Sequence, residues 1–127
     1  AGNAAFKESR HEEAIELYSL AIELDGANPV FFSNRSAVHQ ARRNWREAAS
    51  DAQRAIKLDR CFVKGWLHLA KVHLAQREHE EAKATLQRGL DALQEAAQPT
   101  SSAAPLVELL KTVTAQAPRA TGREGAA

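Results

Sequence analysis

The sequence is poor in the residues that mark specialised protein classes. Its 127 positions hold one cysteine, no methionine, four prolines and six glycines. A lone cysteine, Cys61, excludes an intramolecular disulfide and suits a reducing, cytoplasmic setting. So few prolines and glycines exclude a loop-rich β protein and a disordered linker. No apolar run approaches the ~18 residues that a membrane-spanning helix needs. The missing initiator methionine is what a piece of a longer, multidomain chain, or a processed product, would show. What remains is ordinary for one domain with its own core: 44% hydrophobic and 26% charged residues, with alanine at 26 positions.

The net charge of +1 conceals an uneven distribution. Residues 1–33 carry two basic and six acidic side chains, and residues 34–77 carry ten basic and three acidic. Residues 78–127 return to a small excess of acid, with five basic and seven acidic. A basic middle favours an acidic protein partner or nucleic acid, and charge alone does not choose between them.

An internal repeat organises the chain. Glu-Ala recurs at Glu13-Ala14, Glu47-Ala48 and Glu81-Ala82, 34 residues apart each time. The same shift superposes Ala21, Ala55 and Gly89, then Ile22, Ile56 and Leu90, then Gly2, Ser36 and Ala70. It also places Phe32 on Trp66, and His11 on Trp45 and His79. Within each unit the apolar spacing is helical. Ala14, Tyr18, Ala21 and Ile22 follow i, i+4, i+7, i+8, as do Ala48, Ala52, Ala55 and Ile56. Residues 28–42 and 62–76 also read as helices, with turns at 25–28 and 59–61. Each unit is therefore expected to be a helix pair, and small residues at the shared positions would let the two helices approach closely.

After the repeats, residues 95–104 read as a loop around Pro99, Thr100, Ser101 and Ser102. Pro105 then suits the first turn of a helix over 105–117. Its stripe of Leu106, Leu109, Leu110 and Val113 is expected to cap the open end of the last repeat. Residues 118–127 read as a disordered tail. No glycine-rich phosphate loop or nucleophile elbow occurs. Five histidines fall in no metal-ligand spacing, since His68 and His73 do not share a helix face. The acid pairs Glu12-Glu13 and Glu80-Glu81 are expected at helix N-termini, where negative charge suits the dipole. Arg42, Arg43 and Arg46 are expected to be solvated. No enzyme, metal or cofactor is expected.

The 34-residue helix-pair pattern resembles the tetratricopeptide repeat, over residues 1–94. The resemblance implies an all-α fold, a right-handed superhelix of about three antiparallel helix pairs. The chain enters the first repeat at about its seventh position, so that repeat is short at its front; the second spans 29–62 and the third 63–94. Gly26, Arg60 and Gln94 stand where the family places a closing proline. The resemblance further implies that the first helix of each pair lines a concave groove. Its groove positions fall on Asn3 and Lys7 with Phe6 adjacent, on Asn34, Ala37 and Ala41, and on Lys64, His68 and Lys71.

Such a set is rich in hydrogen-bond donors and suits a carboxylate, with charge-assisted bonds contributing roughly 1.5–3 kcal/mol each. The segments Gly2–Lys7, Phe32–Ala37 and Val63–Trp66 look like the carboxylate-clamp subgroup of co-chaperones. That subgroup binds the C-terminal Glu-Glu-Val-Asp tails of the seventy- and ninety-kilodalton heat-shock chaperones. Its clamp runs Lys, Asn, Asn, Lys, Arg; Asn3, Asn34 and Lys64 match the middle three, and His68 replaces the arginine. An imidazole with an ordinary pKa of about 6.5 is expected to hold the tail better as pH falls from 7.5 to 6. Two other readings stay open: a repeat scaffold for a different partner with a degraded clamp, and nucleic-acid binding through the basic middle.

Overall fold

The computed structural model describes the backbone of residues 2–116 and the side chains of residues 8–115. Six α-helices follow one another, α1 (Gly2–Leu24), α2 (Pro29–Ala41), α3 (Trp45–Leu58), α4 (Val63–Ala75), α5 (His79–Glu95) and α6 (Ala104–Gln116). A single 3-10 turn, Thr100–Ala103, lies in the segment between α5 and α6. There is no strand among the described residues. The tail at 118–127 lies outside them.

Each helix packs on the next, and α2 also meets α4, which in turn meets α6. The chain thus stacks as an α-α superhelix in which α2 and α4 lie side by side. Small residues set the spacing. Ala48, Ala52 and Ala55 of α3 are fully buried, as are Ala70 of α4 and Ala82 of α5. At Gly89 an added Cβ would lie 2.8 Å from Trp66 Cγ, so only glycine admits the indole there.

The ends of the helices explain the turns. Asn28 caps α2, its side chain accepting from Val30 N at 2.9 Å, and Pro29 occupies the first helical position. The α2–α3 turn is a Schellman motif: Asn44 N donates to His39 O at 2.8 Å and Arg43 N to Gln40 O at 3.0 Å. The α4–α5 turn repeats it through Glu78 N to His73 O and Arg77 N to Leu74 O. Both motifs need a left-handed residue, and Arg43 and Arg77 fill that role at φ 63°. For a residue with a Cβ this conformation costs roughly 1–2 kcal/mol.

The first unit differs from the expected helix pair. The 34-residue shift places Ser9 on Arg43 and Arg77, yet α1 runs unbroken through it. In the later units the strained turn is offset by thirteen residues of first helix packing on the second. Glu12 and Glu13 consequently lie mid-helix in α1, whereas Glu80 and Glu81 do open α5.

Two kinds of interior hold the stack. Around α4, α5 and α6 it is apolar: Trp66, Leu86, Leu93, Leu106 and Val113 form one cluster. Leu106 and Val113 come from α6, which caps the end. The Trp66 indole donates Nε1–H to Arg60 O at 2.7 Å. Around α2 and α3 the interior adds polar groups to Phe32 and the buried alanines. Arg35 reaches Asp51 through two 2.8 Å bonds and Ser19 of α1 through a third at 2.9 Å. Ser36 donates to the Ala48 carbonyl at 2.7 Å. No helix among the described residues is long and apolar enough to cross a membrane.

Candidate functional site

The site expected from the sequence falls on the neighbouring helices α2 and α4. Lys64, His68 and Lys71 lie at i, i+4 and i+7, so they share one face of α4. Asn34 and Ala37, spaced i and i+3, share a half-buried face of α2. The side chains of Asn3, Phe6 and Lys7 lie outside the described residues, and their backbone belongs to the front of α1.

His68 is joined to α2 by a residue that sequence reasoning missed. Gln40 Nε2 lies 3.0 Å from His68 Nδ1 and 3.4 Å from Ser36 Oγ. The Ser36 hydroxyl already donates to Ala48 O, so its oxygen accepts from the amide. An amide nitrogen only donates, so Nδ1 of His68 accepts and the imidazole proton sits on Nε2. This chain of bonds links the α3 backbone, α2 and α4, and fixes the tautomer of the histidine. The available signal was that Gln40 stands where the repeat shift puts Leu74, a polar residue at an apolar position.

The electrostatics correct the expected pH response. Burial, then Lys71, then Lys64 push the His68 pKa down to about 4. The imidazole is therefore neutral across pH 6 to 7.5, and the gain in tail affinity expected over that range does not follow from the free site. His68 serves as a fixed neutral donor between two ammonium groups. Neither Lys64 nor Lys71 has a carboxylate within 4.0 Å among the described residues. Asn34 likewise makes no side-chain hydrogen bond there. The face thus presents amide, imidazole and ammonium donors whose charge the fold leaves unmatched, a chemistry suited to a carboxylate-bearing ligand.

The basic residues near the α2–α3 turn do not all behave as expected. Arg42 is half-buried, paired with Glu8 and, at 3.9 Å, with Glu12 of α1. Arg43 and Arg46 are exposed. The Arg35–Asp51 pair, with His39 Nε2 at 3.7 Å from Asp51, joins a half-buried arginine to a buried aspartate between helices and serves the fold. No cluster of three metal-ligating side chains occurs among the described residues.

Comparison with known proteins places these observations in context. A tetratricopeptide-repeat profile matches residues 1–28 and 63–92. The heat-shock protein cognate co-chaperone sgt12 of Aspergillus fumigatus is 33% identical over 91 residues, covering 72% of this chain. The chain spans only 27% of that protein, and 15% of heat shock protein STI1 of Saccharomyces cerevisiae, to which it is 35% identical. Among solved structures, the second repeat domain of Spaghetti (RPAP3), bound to the HSP90 peptide SRMEEVD, is 32% identical. The match covers 70% of this chain and 82% of that one, with a TM-score of 0.60. The TPR2B domain of yeast Sti1, solved as an Hsp70 complex, is 26% identical at TM-score 0.73, covering 91% of each chain.

Proposed function

The chain belongs to the tetratricopeptide-repeat family, and from that premise we propose that it is a co-chaperone-type adaptor module. In this reading it takes the acidic C-terminal tail of a seventy- or ninety-kilodalton heat-shock chaperone between α2 and α4. The observation that carries the proposal is the α4 face, where Lys64 and Lys71 flank a histidine held as a neutral donor, with no carboxylate among the described residues to satisfy them. Asn34 supplies amide donors from α2. A tail ending in aspartate offers two carboxylates on a single residue, which no internal aspartate or glutamate does.

The module acts by holding partners together rather than by catalysis, and the cytoplasm is the compartment this reading assigns to it. With His68 neutral the site has one permanent charge fewer than an arginine clamp would supply. Affinity is therefore modest, roughly micromolar, or about −8 kcal/mol. The test is a titration with an acidic chaperone-tail peptide, once with its free C-terminal carboxylate and once amidated. Binding should vanish on amidation and weaken by about tenfold or more in Lys64→Ala. Equal binding of both peptides would favour the reading in which the domain is a scaffold for a different protein.

A further inference from the structure

A second surface, on α3, carries unmatched positive charge beside exposed apolar groups. Arg54 and Lys57 line two open clefts at once. The larger, about 530 Å³, continues past Gln53 and Ile56 to Arg60. The smaller, about 260 Å³, is bounded by Phe32, Leu58 and Gly26. Leu58 is 42% exposed at its edge. No carboxylate among the described residues lies within 4.0 Å of Arg54, Lys57 or Arg60. The adjacent acids are engaged in their own turns, Asp59 with Cys61 N at 2.9 Å and Asp25 with Ala27 N at 3.2 Å.

We propose that this face of α3 is a second binding site, which takes an acidic protein segment carrying an aliphatic anchor residue. The anchor enters the smaller cleft against Phe32 and Leu58, and flanking carboxylates meet Arg54, Lys57 and Arg60. Charge complementarity selects the occupant, because three cations with no carboxylate partner among the described residues favour an anionic one. The apolar cleft beside them selects a protein segment over a nucleic-acid strand. Base stacking needs an open aromatic face. Phe32 is 5% exposed, and its ring has guanidinium groups near it at 5.7 Å (Arg35) and 5.9 Å (Arg54). The proposal is independent of the α2–α4 site, since it uses none of Asn34, Lys64, His68 or Lys71 and requires no free chain terminus.

The probe is a short peptide of aspartate and glutamate with one central leucine, acetylated at one end and amidated at the other. Blocking the terminus removes the group that the α2–α4 site would recognise. Fluorescence anisotropy should show binding that weakens with added salt and falls about tenfold or more in Arg54→Glu/Lys57→Glu. The same affinity is expected in Lys64→Ala. Replacing the leucine by serine should weaken binding, and a single-stranded oligouridine should bind less well than the peptide. In the wild-type protein, amide shifts caused by the peptide should fall on residues 50–60, which tests the site without any substitution. Absence of binding would overturn the proposal. So would loss in Lys64→Ala, indifference to the leucine, or stronger binding of the oligonucleotide.

Discussion

The α2–α3 pair and the α4–α5 pair share one backbone plan and fill it with different chemistry. Position for position, Phe32 corresponds to Trp66, Arg35 to Leu69, Ser36 to Ala70, Asp51 to Thr85 and Ala52 to Leu86. The first pair closes on a bidentate guanidinium–carboxylate contact and a serine-to-carbonyl bond. The second closes on Trp66 and Leu86, to which α6 adds Leu106 and Val113. Both bury the small residues that bring the helices together. The comparison teaches that the 34-residue register sets the geometry, while the interior can be closed by a charge pair or by apolar side chains. It also locates fragility. An apolar interior loses stability in proportion to what is removed, whereas a paired charge becomes a burden once its partner is gone.

The largest expected effect breaks the polar pair from one side. Arg35→Ala leaves Asp51, only 4% exposed, without its counter-charge, and should cost roughly 3–5 kcal/mol in urea unfolding. Importing the residues of the other pair, as Arg35→Leu with Asp51→Thr, should recover most of that loss or exceed wild type. A double variant as unstable as the single one would show that the two interiors are not interchangeable.

Acidity should separate the regions next. The folded pKa of His68, about 4, lies below the ordinary unfolded value of about 6.5, so the unfolded chain binds the extra proton first. The contribution is therefore complete above about pH 6.5 and is lost as pH falls toward 4. Burial pushes His39 downward as well. Replacing His68 by glutamine should flatten the melting temperature between those two pH values relative to wild type. An unchanged slope would mean that the histidine is not buried as described.

The smallest effect compares the later turns with the unbroken α1. Arg77→Gly relieves a left-handed residue but makes the unfolded chain more flexible, leaving a net gain of about 0.5 kcal/mol. At the matching register position in α1, Ser9→Gly should instead cost about 0.5–1 kcal/mol, because there the residue is inside a helix. Opposite signs in paired melting curves are the expected result.

Much of the fold was legible because it rests on local, repeated patterns. Alanine at 14, 48 and 82, with helical spacing around it, announces both the period and the face that is buried. The turn expected at 25–28 and the helix expected from 28 place the start of α2 to within a residue. The continuity of α1 was not legible. The turn positions, two arginines in the later units and a serine in the first, carry no signal that separates a turn from a continued helix. The α4 side chains could be named from register and resemblance, but the state of His68 could not. It depends on Gln40, 28 residues away, and on burial that exists only once α2 and α4 are side by side. Likewise Arg42 reads as solvated until α1 brings Glu8 beside it.

Trp66 gives the molecule a built-in optical reporter. Its indole is 5% exposed and hydrogen-bonded to the carbonyl of Arg60, on the edge of the α3 surface, while its own helix carries Lys64 and His68. The ring packs against Gly89 in the α4–α5–α6 core, and its hydrogen bond runs to the edge of the α3 surface. A ligand that draws Arg60 outward strains the Nε1–H bond and alters the emission, while one that settles over Lys64 changes the electric field along α4. In a Trp45→Phe background, one fluorescence channel would follow either event, and the identity of the ligand would say which face had been touched.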